Sequence, residues 1–153
     1  MKLAHRGLGV DLPPGWDARI YRRAERVEEA TTHAVLHAAN FGLPPDRGDF
    51  GSGAVELMGP SHVLVVLLEH HPDAASTPLF ANRGMPRRLT PAMFSPHQLQ
   101  RTIGGQAGTQ VFFHEAGRAF CLYVVLGSYL RGPALVPLVN TVLASLAIEP
   151  GAG

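Results

Sequence analysis

The fold is decided by residues 109–128, which read TQVFFHEAGRAFCLYVVLGS. Two apolar runs flank Ala116 and Gly117, a pair suited to a tight turn because glycine adopts positive φ at little cost. The pattern predicts a β-hairpin in which Glu115 faces Arg118 across the turn. Both faces of this hairpin are largely apolar, so we expect the sheet that contains it to be covered on both sides.

Three further stretches have the periodicity of strands. Residues 62–70, HVLVVLLEH, are apolar on both faces and predict a central strand. Residues 33–41 fit strand spacing and helix spacing, and we predict the strand because it aligns Val35, His37 and Ala39. Residues 8–22 hold two short runs around the turn-forming sequence Pro-Pro-Gly, which predicts a second hairpin.

The C-terminal region predicts an amphipathic helix. Pro133 suits its first turn, and one apolar stripe follows at helical spacing. The stripe consists of Leu135, Leu138, Val139, Val142, Leu143 and Leu146. We therefore predict one α+β domain over residues 1–153, ordered from about residue 8 to 148. It has a single antiparallel sheet with this helix packed on it.

A long proline-rich loop is predicted over residues 72–97, where five prolines prevent both a long helix and a central strand. Loops of this length in compact domains are usually lids or binding segments. Aromatic, methionine and arginine side chains, which protein interfaces favour, recur along it. They make it the candidate partner-binding site, with the residues Phe80, Met85, Arg87, Arg88, Met93 and Phe94. The alternative is a surface flap whose hydrophobic side chains cover the sheet.

Composition excludes several classes of protein. The chain is 46% hydrophobic and 16% charged, which is too apolar for a disordered protein. Its 13 basic and 12 acidic residues give no field of one sign to attract nucleic acid. Prolines interrupt the longest uncharged stretch, residues 132–148, so we expect no membrane span. A lone cysteine and an N-terminus without a long apolar run favour the cytoplasm.

No motif for a metal or a cofactor appears. Eight histidines invite a metal hypothesis, but HEAGR at His114 lacks the second histidine of H-E-x-x-H. Neither a phosphate-binding loop nor a G-x-S-x-G nucleophile motif is present, so we predict no cofactor. Cys121 lies in an apolar run and is interpreted as a core residue. An enzyme with His37 or His114 as general base in a pocket between loop and sheet stays the alternative hypothesis.

The Pro-Gly-Trp turn at residues 14–16 and the final helix ending Ser145, Leu146, Ala147, Ile148 resemble the PsbP-like superfamily. The resemblance implies an antiparallel sheet between helices. Members of that superfamily mostly act as binding or assembly subunits, among them photosystem extrinsic proteins and a nuclear-import cofactor. We therefore expect a non-catalytic module that binds an unidentified protein or another copy of this chain.

Overall fold

The computed structural model describes residues 1–22 and 33–150, which form eight strands and one α-helix. In chain order these elements are β1 (Lys2–His5), β2 (Leu8–Asp11), β3 (Asp17–Arg22), β4 (Ala34–Ala39), β5 (Val63–His70), β6 (Ala107–Glu115), β7 (Arg118–Leu126), α1 (Gly132–Ser145) and β8 (Ala147–Ile148). Five strands form one antiparallel sheet in the order β3-β4-β5-β7-β6, and β1, β2 and β8 form a smaller one.

The hairpin predicted from residues 109–128 is confirmed. β6 and β7 pair antiparallel, with Glu115 opposite Arg118 at the turn. Ala116 and Gly117 both have positive φ, 55° and 76°, as a two-residue hairpin turn requires. The predicted strand within residues 33–41 is β4, and the predicted central strand is β5, which pairs with β4 and β7.

Both faces of the five-stranded sheet are covered, as expected. Helix α1 and the small sheet pack on one face. Apolar side chains from residues 41–58 and 99–103 pack on the other. The predicted stripe of α1 is buried except for Leu138, which points outward and is 40% exposed.

The predicted hairpin within residues 8–22 is wrong in its pairing. β2 pairs with β1 and β8, whereas β3 pairs with β4 in the other sheet. The Pro-Pro-Gly turn therefore carries the chain from one sheet to the other. β2 finds its partner earlier in the chain because Arg6 and Gly7, with φ of 52° and 74°, form a two-residue turn after β1.

The predicted α+β class, with an antiparallel sheet, a C-terminal helix packed on it and a long Pro-rich loop, is confirmed. The small second sheet is an addition to that prediction. Within residues 1–22 and 33–150, no helix is long and apolar enough to cross a membrane.

The Pro-rich loop, residues 72–97, runs along the outer edge of β6. Near one end of the strand, Ser95 and Gly108 exchange two backbone hydrogen bonds of 3.0 Å. Near the other end, the His114 N–H donates to the Asn82 carbonyl and the Gly84 N–H donates to the His114 carbonyl. Exposed strand edges are sites of unwanted pairing, so these contacts protect the sheet against edge-to-edge association.

A buried ion pair between β5 and β7 of the large sheet also holds the small sheet. The Arg118 Nε and Nη2 atoms donate to the two carboxylate oxygens of Glu69 at 2.8 and 2.9 Å. The remaining Arg118 donors reach the backbone carbonyls of Arg6, Gly7 and Glu149. Both the turn after β1 and the chain beyond β8 are thereby attached to the large sheet.

Gly7 is required at this junction for two reasons. Its φ of 74° lies in the region that side chains disfavour. A Cβ at this position would also lie 2.5 Å from Arg118 Nη1. The absence of a side chain lets the guanidinium approach the backbone.

We expect Glu69→Gln to lower the free energy of unfolding by about 3 kcal/mol, because Arg118 would keep a buried charge without its carboxylate partner. The matched control is Arg101→Gln, which removes an exposed ion pair to Glu56 of 2.7 Å. That change should cost no more than about 1 kcal/mol. Urea denaturation of both variants measures the difference, and equal losses would contradict a dominant role for the buried pair.

Candidate functional site

The structure divides the six predicted partner-binding residues between interior and surface. Phe80, Met85 and Phe94 are buried against their own chain. Phe80, for example, lies edge-on to Phe112 with ring centroids 5.5 Å apart. These three side chains act as the anchors of a flap, which was the alternative interpretation of the loop.

The other three residues, Arg87, Arg88 and Met93, lie at the surface. Arg87 is engaged within the chain, since its Nη1 atom donates to the carbonyls of Leu143 and Leu146 at the end of α1. A cation at a helix C-terminus stabilises the helix. Arg88 and Met93 are therefore the two predicted residues that remain available to a partner.

Two further large apolar side chains are exposed in the segment just before α1. Tyr129 and Leu130 precede α1 and are 46% and 89% exposed, and Met93 is 44% exposed. The two segments meet because Gly132 at the start of α1 lies against Pro91, with 3.6 Å between the Pro91 Cβ and a Cβ built on Gly132. We call Met93, Tyr129 and Leu130 the apolar tip.

The backbone of the apolar tip is fixed. The Tyr129 N–H donates to the Gly105 carbonyl at 2.7 Å, and the Gly132 N–H donates to the Tyr129 carbonyl at 3.2 Å. The sequence signal for an exposed apolar site was a Tyr-Leu pair that lies between the β6–β7 hairpin and the Gly-Pro pair at the start of α1.

His37, one candidate general base, is fully buried in β4 and hydrogen-bonded at both ring nitrogens. Its Nε2 lies 2.7 Å from the Asp49 carbonyl oxygen, which only accepts, so Nε2 carries the proton. Arg47 Nε donates to Nδ1 at 2.9 Å. The Tyr21 hydroxyl donates to the Asp49 carboxylate at 2.9 Å and connects the same loop to β3.

Burial lowers the pKa of His37 to about 4, and the neighbouring Arg47 charge acts in the same direction. The imidazole is therefore neutral at pH 7. Its Nδ1 lone pair is already used by Arg47, so accepting a substrate proton there would break a hydrogen bond that holds the loop. The arrangement is suited to fixing residues 47–49 against the sheet.

His114, the second candidate general base, and Cys121 lie on strands β6 and β7 of the large sheet. His114 Nδ1 lies 2.6 Å from the Phe80 carbonyl oxygen and so donates to it, anchoring the Pro-rich loop. Cys121 is buried in β7, and burial raises its pKa to about 11. The thiol is therefore protonated at neutral pH, as expected of a core cysteine.

Among residues 1–22 and 33–150, no three His, Cys, Asp or Glu side chains are grouped so that they could hold a metal ion. Comparison with protein-family models, curated proteins and solved structures found no match.

We expect the stability of the fold to decrease as the pH falls from about 7 to 4. The unfolded imidazole of His37 binds a proton near pH 6.5, whereas the folded one does so only near pH 4. Between these values the unfolded state binds more protons, so the loss reaches roughly 3 kcal/mol. Urea denaturation across this range measures it.

His37→Gln should flatten that part of the pH profile, while His5→Gln, a change at an exposed position, should leave it unchanged. A profile that keeps its slope in the His37 variant would contradict the assignment.

Proposed function

We propose that this chain is a non-catalytic binding or assembly module that contacts a protein partner through the apolar tip. The observation that carries the proposal is the exposure of three large apolar side chains on a fixed backbone, led by Leu130 at 89%. Arg88 and Arg131 lie at the surface in the same two segments.

The composition of this surface supports a protein partner. Interface centres are enriched in aromatic residues, methionine and arginine, and an exposed leucine can fill a pocket on the partner. Because hydrogen bonds already hold the tip's backbone, binding would order few additional degrees of freedom. The resemblance to the PsbP-like superfamily supports the same kind of function.

The use of the buried polar groups also supports binding rather than catalysis. Both ring nitrogens of His37, the Nδ1 of His114 and the Glu69–Arg118 pair all hold loops or chain ends to the sheet. The single cysteine, which has no second cysteine to pair with, supports a cytoplasmic location for the module.

The proposal is tested by affinity capture from the source cell with quantitative mass spectrometry. We expect the double variant Met93→Asp, Leu130→Asp to lose specific partners, because charges in an apolar contact must be desolvated without compensation. The matched control is Leu79→Asp, which changes a leucine that is 59% exposed elsewhere on the Pro-rich loop.

Both proteins should keep the wild-type thermal transition, since the altered side chains are exposed. An identical set of captured proteins for the tip variant and the wild type would refute the role of the tip.

A further inference from the structure

The two outer edges of the five-stranded sheet differ. The Pro-rich loop covers the edge at β6 and forms backbone hydrogen bonds to it near both ends of the strand. The opposite edge is β3 (Asp17–Arg22), which pairs with β4 on its inner side. Within residues 1–22 and 33–150, no backbone hydrogen bond reaches the outer side of β3. Such an edge presents a row of backbone donors and acceptors to its surroundings.

The register of the sheet shows which groups of β3 point outward. The Asn40 N–H, next after β4, donates to the Val63 carbonyl, so the even-numbered residues of β4 face β5. The odd-numbered residues of β4 therefore face β3, where they oppose odd-numbered residues. The backbone N–H and C=O groups of the even-numbered residues of β3 point away from the sheet. These residues are Ala18, Ile20 and Arg22.

These backbone groups define the kind of occupant. The Ala18 carbonyl accepts a hydrogen bond of 2.8 Å from Arg19 Nη1, and a carbonyl oxygen can accept a second one. The row of alternating donors and acceptors is matched by the backbone of another extended segment, which adds a strand to the sheet. The edge is therefore suited to a β-strand from outside the chain.

We propose that β3 pairs with β3 of a second copy of this chain, antiparallel about a twofold axis at Ile20. The five strands of each copy then form one continuous sheet. In this register Ile20 faces Ile20 of the second copy, and Ala18 of each copy faces Arg22 of the other. Each of these pairs exchanges two backbone hydrogen bonds, so all three outward-facing residues of both strands are paired.

The side chains of β3 complement themselves in this register. Arg19 lies opposite Tyr21 of the second copy, and Arg22 lies opposite Ala18, so no like charges face each other. A twofold axis at Arg19 would instead set two guanidinium groups opposite each other. Ile20 is half-buried and packs on the core beneath the small sheet. Its two copies meet at the axis and bury more of their apolar surface.

The coverage of the β6 edge favours a second copy as the occupant. Pairing through a sheet edge continues from chain to chain when both edges of the sheet are open. In this chain the Pro-rich loop occupies the β6 edge, so the pairing of two β3 strands uses the open edge of each large sheet and ends with a dimer. A strand of a different protein would satisfy the same backbone groups, but only the second copy brings the matching side chains of β3.

Sedimentation equilibrium of the purified chain tests the pairing. The wild type should show a concentration-dependent monomer–dimer equilibrium. Ile20→Pro removes an outward N–H from each copy at the axis and leaves the hydrogen bonds to β4 in place, as proline does on edge strands. It should raise the dimer dissociation constant at least about tenfold. The matched control Ile20→Val keeps the N–H and the branched side chain, and it should leave the constant unchanged.

Disulfide cross-linking tests the register without the proline variant. Residues that exchange backbone hydrogen bonds have Cα atoms about 5.5 Å apart, a distance that suits a disulfide. Ile20→Cys should therefore give a cross-linked dimer under mild oxidation. In Arg19→Cys, the control, the two new cysteines would be diagonal neighbours about 7 to 8 Å apart and should stay reduced. Cys121 is buried in β7 and does not compete.

A wild type that is monomeric at all concentrations would overturn the proposal and leave the β3 edge to a strand of a different protein. A dimer insensitive to Ile20→Pro would also overturn it, as would Arg19→Cys cross-linking as fast as Ile20→Cys. If the proline variant loses its thermal transition, the cysteine pair decides alone. The outcome is independent of the apolar tip, because these changes leave Met93 and Leu130 unaltered and partner capture should persist.

Discussion

The buried contact between Arg118 and Glu69 constrains the rest of the molecule. A guanidinium in the interior must have its charge compensated and its donors occupied, and few arrangements of the chain achieve both. Here the carboxylate takes two donors, and carbonyls near both chain ends take others. Glu69 in turn accepts a hydrogen bond from the Ala34 N–H at the start of β4. The small sheet consequently has one position relative to the large one.

With the small sheet and α1 on one face and loops on the other, the large sheet contributes little exposed surface of its own. The Pro-rich loop covers its β6 edge and inserts Phe80 and Phe94 into the interior. Apart from the β3 edge, the surfaces left for recognition therefore lie on the connections. The apolar tip before α1 is one of them.

Local patterns predicted the parts of the fold that local physics determines. The β6–β7 hairpin follows from a turn between apolar runs, and β5 follows from an apolar run too short for a buried helix. Which carboxylate the Arg118 side chain would bind was harder to predict. Glu115 does face Arg118 across the turn, yet the Arg118 side chain binds Glu69, which is 49 positions away in sequence. Phe80 and Met93 looked alike as loop hydrophobes. Only tertiary packing separates a buried anchor from an exposed contact.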